Sequence, residues 1–275
     1  MKLIVMGDLH YSAFEEGSPE VEQVHAAYYG KLIERFLEQE ADYHISLGDL
    51  TNLGVERELR EIYDLISPWN RRFLQVLGNH DLNDRARAEV LAQTGQPRYH
   101  SIETDEAVLA FIDTAREQEL DNWGGFVDEE QLNWLEETVI ASGSKPLLVF
   151  AHHPVHLSTV GSEVVMGSID PDIDMWRALK HKKGIGLYFN GHTHNESIVA
   201  KENWTFVQMG ACLDIPAFRI VEVGADEVAI TTIEATDKEI VDGPPVLCAN
   251  MKHFSLNTFA RGQESDRQVR VALVR

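Results

Sequence analysis

Apolar residues in this chain follow two rhythms that alternate along it. Short unbroken runs, KLIVM (2–6), YHISL (43–47), FLQVL (73–77), PLLVFA (146–151) and GIGLYF (184–189), have the length of strands buried on both faces. The first three end at Gly7, Gly48 and Gly78. Between them apolar positions recur at helical spacing. Val21, Val24, Tyr28, Leu32, Phe36 and Leu37 follow Ser18-Pro19, which reads as an N-cap and a first-turn proline. VERELREIYDLI (55–66) is the second such stretch. This order predicts parallel strands joined by crossover helices.

Farther along, RYHSIE and AVLAFID read as strands, and a helix opens at Asp128 with Gln131 as its capping-box partner and Leu132, Leu135 and Val139 as its apolar stripe. DIDMWRALK reads as a helix between the 146–151 and 184–189 strands. Past residue 194, SIVA, WTFVQM, FRIVEV and EVAITTIE are short strand candidates, and Gly243-Pro244-Pro245 marks a boundary. The expected organisation is a main domain over 1–242 and a C-terminal extension over 243–275, whose QVRVALVR end supplies an edge strand or the arm of a homo-oligomer.

Composition narrows the partners. A chain of 275 residues with 44% hydrophobic and 25% charged residues can bury a sizeable core. Its 24 basic against 45 acidic side chains leave a net charge of −21, which repels polyphosphate backbones, and no basic groove is legible. Nucleic acid is therefore not expected as a partner. Cys212 and Cys248 stand far apart, outside any metal-ligand spacing, and read as small buried hydrophobes. The apolar stretch at the N-terminus, Leu3 to Met6, is too short for a signal-peptide core, and no run is long enough to span a bilayer. A cytoplasmic protein without membrane contact is the expectation.

The chemistry lies just past the strands. GDLH follows the first, GDLTN the second, GNHD the third, HHP the fourth and GHTH the fifth. These place Asp8, His10, Asp49, Asn79, His80, His152, His153, His192 and His194 in five strand-end loops. The carboxyl edges of strands in α/β sheets gather where ligands bind, so residues remote in sequence can converge there. Imidazole, carboxylate and amide donors without a competing cysteine suit Mn, Fe, Zn or Ni. The glycines before Asp8, Asp49, Asn79 and His192 are expected to let the chain turn sharply and approach closely. His152 and His153 point to opposite sides if the chain is extended, so only one is expected to face a metal.

In this order the five motifs resemble those of the calcineurin-like metallophosphoesterases, most of all the bacterial class III phosphodiesterases of cyclic nucleotides or glycerophosphodiesters. The resemblance spans about residues 3 to 194. It implies a four-layer α/β/β/α sandwich of the metallo-dependent phosphatase type. It also implies a dinuclear centre of two divalent or trivalent transition-metal ions (Mn, Fe or Zn), with a bridging hydroxide as nucleophile. Carried over by position, Asp8, His10 and His194 hold one ion, Asn79, His152 and His192 the other, and Asp49 bridges. On this reading His192 and His194 serve different ions, and Thr193 between them faces away. His80 binds the phosphoryl oxygen and helps protonate the leaving alkoxide.

One departure bears on His80. Relatives often carry an acidic residue three positions after the bridging aspartate, where this chain has Asn52. An amide cannot favour an imidazolium by charge, and Asp81 is the candidate to compensate. No arginine follows Asn52, which argues against the protein Ser/Thr phosphatases. The expected substrate is a small phosphate ester, with the diester favoured over a phosphomonoester or a nucleotide pyrophosphate. A non-catalytic scaffold of the same fold is less consistent with His80, and a nuclease with the net charge. Substrate choice is expected in the loops at 11–18, 114–127 and 156–171, with the glycine pair after Trp123 forming a mobile rim. His156 is a weaker substrate-loop candidate, and His25, His44, His100, His181 and His253 have no motif around them.

Overall fold

The structure is a computed structural model describing residues 1–14 and 17–273. Glu15 and Glu16 of the 11–18 loop, and the last two residues of the C-terminal strand candidate, lie outside the described residues. The strands are β1 Lys2–Met6, β2 Tyr43–Ser46, β3 Phe73–Gln75, β4 His100–Glu103, β5 Val108–Phe111, β6 Leu147–Phe150, β7 Gly186–Asn190, β8 Ser197–Lys201, β9 Trp204–Gln208, β10 Ala217–Val223, β11 Glu227–Glu234 and β12 Gln268–Ala272. The helices are α1 Pro19–Leu37, α2 Glu56–Ile66, α3 Arg87–Thr94, α4 Glu129–Ala141, α5 Met175–Leu179 and α6 Lys238–Cys248.

Two six-stranded sheets result, in the orders β12-β11-β10-β1-β2-β3 and β4-β5-β6-β7-β9-β8. β1, β2 and β3 are mutually parallel in the first sheet, and β5, β6, β7 and β9 in the second. Successive side chains of β1 explain why the run is apolar without a break. Leu3 and Val5 enter the cluster between the sheets, whereas Ile4 and Met6 enter the cluster under the helices. That outer cluster packs Leu32 and Phe36 of α1, Ile62 of α2, and Ile240 and Leu247 of α6 on the first sheet. Between the sheets Phe111, Phe150 and Phe189 stack at 5.0 and 5.1 Å, one from each of three neighbouring strands. Truncating the central ring, Phe150, would cost about 3–5 kcal/mol. On the far side Leu132, Leu135 and Val139 of α4 and Met175 and Leu179 of α5 cover Leu147, Val149 and Tyr188. The layers are therefore α/β/β/α.

Local expectations hold unevenly. Ser18 caps α1, its side chain accepting from Val21 N. Asp128 caps α4 through Gln131 N, but the Gln131 side chain does not return the bond. It is buried instead against the chain after β5, accepting from Asp113 N at 2.8 Å and donating to Asp113 O at 2.7 Å. The larger difference is α6, which runs straight through Gly243-Pro244-Pro245. Gly243 serves close packing there rather than a turn: a Cβ on it would lie 2.9 Å from the Tyr28 ring of α1. Asp237 at its start pairs with Arg35 of α1 through both carboxylate oxygens. β12 then pairs antiparallel with β11 at the sheet edge. Among the described residues no helix is long and apolar enough to cross a membrane.

Candidate metal centre

Three parallel strands of one sheet and two of the other point their carboxyl ends at the same place. The loops after β1, β2 and β3 bring Asp8, His10, Asp49, Asn79 and His80, and those after β6 and β7 bring His152, His153, His192 and His194. Donor atoms of Asp8, His10, Asp49 and His194 all lie within 4.8 Å of one another, as do those of His152, His153 and His192. Asn79 belongs with the second group, its Oδ1 lying 3.1 Å from both His152 Nε2 and His192 Nδ1.

His10, His152, His192 and His194 each have one nitrogen tied outward and one left inward. His10 Nδ1 donates to Asn52 Oδ1 at 3.2 Å, His152 Nδ1 to Leu47 O at 2.9 Å, and His194 Nδ1 faces Asp214 Oδ2 at 3.4 Å. His192 is reversed, with Nε2 donating to Met166 O at 2.8 Å and Nδ1 turned in. Such outward bonds set the tautomer and raise the basicity of a ligating imidazole. The inward nitrogens then crowd together. His10 Nε2 lies 3.1 Å from His194 Nε2, and His152 Nε2 lies 3.3 Å from His192 Nδ1. Facing lone pairs at that distance repel unless positive charge stands between them, which is what a cation-binding donor set requires. Asp8 adds a buried carboxylate whose Oδ1 has no hydrogen-bond partner.

Electrostatics agree. Burial pushes His10 well below the ordinary imidazole range, and His80 adds to this against the pull of Asp49. Burial also opposes a proton on His152, but the adjacent Asp49 outweighs it and lifts the group to about 9. His194 is likewise penalised by burial, and its hydrogen bonds to Asp214 and Asp8 raise it to about 10. His192, buried beside His152, falls to about 4. Asp49 would rise through burial alone, but the His152 and His80 imidazoles hold it well below the usual carboxylate range. The site thus favours positive charge between Asp8 and His194 and between Asp49 and His152.

The backbone takes this shape at a cost. His10, Asp49, His192 and His194 themselves adopt left-handed φ of 49°, 46°, 73° and 55°. Strain of this kind collects at functional sites. Of the four glycines expected to turn, only Gly48 has a positive φ, at 93°. Gly78 and Gly191 serve close approach, since a Cβ on them would lie 2.1 Å from Asp49 Oδ1 and 1.9 Å from Asp8 Oδ1. The His192–His194 segment is therefore not extended, and its two rings part because both residues are left-handed. Thr193 does turn away, donating through Oγ1 to Val160 O.

Other expectations are corrected at this point. Asn52 does not address His80 with its side chain, which bridges His10 and Lys252 O; His80 Nδ1 donates to the Asn52 backbone O at 2.6 Å. Asp81 does not compensate either, because its carboxylate accepts from Thr51 N, Thr51 Oγ1 and Gly78 N and braces the loop. Both nitrogens of His153 are engaged by Thr114 Oγ1 and Trp123 O, so it supports the 114–127 loop. His156 donates to Ser162 O within the 156–171 loop. The glycine pair after Trp123 is clamped: Gly125 N donates to Ser168 O, and a Cβ on Gly125 would lie 2.7 Å from the His153 ring.

A cleft of 920 Å³ opens over Asp49, Asn79, His80, His192 and His194. Loops 114–127 and 156–171 line it as expected, whereas none of the described residues of 11–18 does. Lys252 and His253 also line it, and Lys252 is the only lysine or arginine that does so among the described residues. The adjoining Phe254 packs its ring 4.7 Å from His10 and 5.3 Å from His194. Asp214, Lys252, His253 and Phe254 were invisible in sequence because no motif surrounds them.

A four-layer sandwich with imidazole, carboxylate and amide donors at its strand ends is the architecture of a metal-dependent phosphoester hydrolase. Residues 1–196 match the family model described as calcineurin-like phosphoesterase, and the chain belongs to that family. It is 25% identical over 178 residues to a probable cyclic nucleotide phosphodiesterase of Xenorhabdus bovienii, covering 63% of this chain and 67% of that one. To another so named, from Rhodopseudomonas palustris, it is 26% identical over 208 residues, covering 70% and 72%. Among solved structures, the purple acid phosphatase PPD1 of yellow lupin superposes with a TM-score of 0.55 at 15% identity, over 88% of this chain and 52% of that one. GAP50 of Plasmodium does so with a TM-score of 0.55 at 12% identity, over 96% of each. These two share the fold.

Proposed function

We propose that this protein is a two-metal phosphodiesterase acting on small phosphodiesters such as cyclic nucleotides or glycerophosphodiesters. Asp8, His10 and His194 would hold one cation, Asn79, His152 and His192 the other, and Asp49 would bridge. The observation that carries this reading is Asp49 itself: its Oδ2 is 3.7 Å from His10 Nε2 and 3.3 Å from His152 Nε2, within reach of both donor groups. Two such cations lower the pKa of water and neutralise charge on a phosphoryl group.

The chain supplies the rest. His80 lines the cleft over the donors with its Nδ1–H fixed by the Asn52 carbonyl, so that in the imidazolium form its Nε2–H would bind a phosphoryl oxygen and pass its proton to the departing alkoxide, leaving the neutral ring. The backbone N–H of His80 donates to Asp49 Oδ1 at 2.8 Å, which fixes the position of the residue relative to that carboxylate. Names of the relatives support a diester substrate, and the net charge of −21 suits a small ester better than a nucleic acid. The test is hydrolysis of bis-p-nitrophenyl phosphate with added Mn²⁺. His80→Ala should lower turnover by about a hundredfold or more while bound metal is retained. Absence of hydrolysis with every divalent metal tried would reject the reading.

A further inference from the structure

The floor of the cleft is polar, and its mouth, though it carries Asp84, Glu119, Lys252 and His253, also carries a group of exposed apolar side chains. Leu120 and Trp123 come from the loop after β5, and Val164 and Val165 from the loop after β6; all four line the cleft that holds the metal donors. They are also among the most exposed large apolar side chains of the protein, Val165 at 85% and Leu120 at 66%. Exposing apolar surface to water costs about 25 cal/mol per Å², so a cluster of it at one opening needs an occupant.

These side chains are registered to the site through the backbone. Trp123 O accepts from His153 Nε2 at 2.9 Å, and Met166 O, next to Val165, accepts from His192 Nε2 at 2.8 Å. A parallel bridge between Gly125 and Ile169 then ties the two loops to each other. The apolar walls therefore sit at a set height above the donors.

We propose that Trp123 and Leu120, together with Val164 and Val165 of the same cleft, form a subsite for an aromatic ring carried by the phosphate ester. The inference rests on the phosphoesterase reading of the donors and chooses within it: an aryl or nucleobase ester is favoured over a glycerol ester, whose hydroxyls would meet no polar partner on these side chains. A flat ring fits because stacking on an indole rewards aromatic faces of any sequence or substituent pattern.

The test compares binding of phenylphosphonate and methylphosphonate to the Mn²⁺-loaded protein by calorimetry; the two differ only in the ring. Wild type should bind the phenyl compound roughly tenfold more tightly, the ordinary worth of one aromatic stack. Trp123→Ala, which keeps the backbone carbonyl that His153 uses, should bring the two affinities to within about twofold. Leu120→Ser, at an exposed loop position, should reduce the preference in the same direction. Equal affinities in wild type, binding of neither compound, or a preference that survives both substitutions overturns the subsite. A retained preference without hydrolysis of bis-p-nitrophenyl phosphate removes the phosphodiesterase reading and leaves the subsite standing. Hydrolysis without a preference does the reverse.

Discussion

Adding one methyl group at residue 191 should disable the centre without replacing a donor. Gly191 has an ordinary φ, so the penalty is purely one of space. A Cβ there would lie 1.9 Å from Asp8 Oδ1 and 3.0 Å from Asp8 Cγ. The carboxylate must retreat by roughly 1 Å or more before the contact is tolerable. It has nowhere easy to go. Its Oδ2 accepts from His192 N at 2.8 Å and lies 3.2 Å from His194 Nε2, and the side chain is wholly buried. Displacement of a reacting or ligating group by about 1 Å costs on the order of a hundredfold in turnover, and disturbed ligand support costs about 10–100-fold in metal affinity. Gly191→Ala should therefore lose both, read as metal content after gel filtration and as kcat/KM on bis-p-nitrophenyl phosphate. Gly30→Ala is the matched control. It lies within α1 with no atom outside its own stretch of helix backbone within 4 Å of the added carbon, so it should gain about 0.5–1 kcal/mol, a rise in Tm of about 1–4 °C, with activity unchanged. A Gly191→Ala protein with wild-type metal content and turnover would refute the packing argument.

Two further outcomes are expected. Asp214→Ala removes the carboxylate that orients His194 and accepts from Asn257 N at 2.7 Å, so metal affinity should fall about 10–100-fold in a competition assay with a chelating dye. Asp113, buried after β5, is met by Arg87 Nε at 2.7 Å and Arg98 Nε at 2.8 Å. Asp113→Ala removes the buried partner of both guanidinium groups, leaving Arg87 with Glu117 and Arg98 with Asp128, and should cost about 1–3 kcal/mol in urea unfolding, with the loop that carries Trp123 the first to become protease-sensitive.

Particular residues show why some of this was readable in advance. Leu3 to Met6 could be recognised as a strand buried on both faces because both its neighbours, the other sheet and the helices, are apolar. The donors could be listed because strand-end loops need no polar residue for folding, so GDLH, GNHD and GHTH stand out against an apolar background. α6 could not be read, since Gly243-Pro244-Pro245 is a turn signal locally and becomes helical only where Gly243 lets the helix close on Tyr28. Asn52 illustrates the same limit. Its amide could be noticed as unusual, but that it serves His10 rather than His80 depends on how the loops after β1 and β2 lie together.

Sequence by itself therefore determined most of the strand–helix order, α3 and α6 excepted, the kinds of donor available and the acidic net charge, because these follow from short-range periodicity and side-chain chemistry. Tertiary structure alone decided which nitrogen of each imidazole turns inward. It also decided that the residues before Phe254 return to the cleft, and that Leu120, Trp123, Val164 and Val165 gather at its mouth. Those outcomes depend on contacts between segments up to about 240 residues apart, such as His10 with Phe254, and no local pattern encodes the partner at the other end.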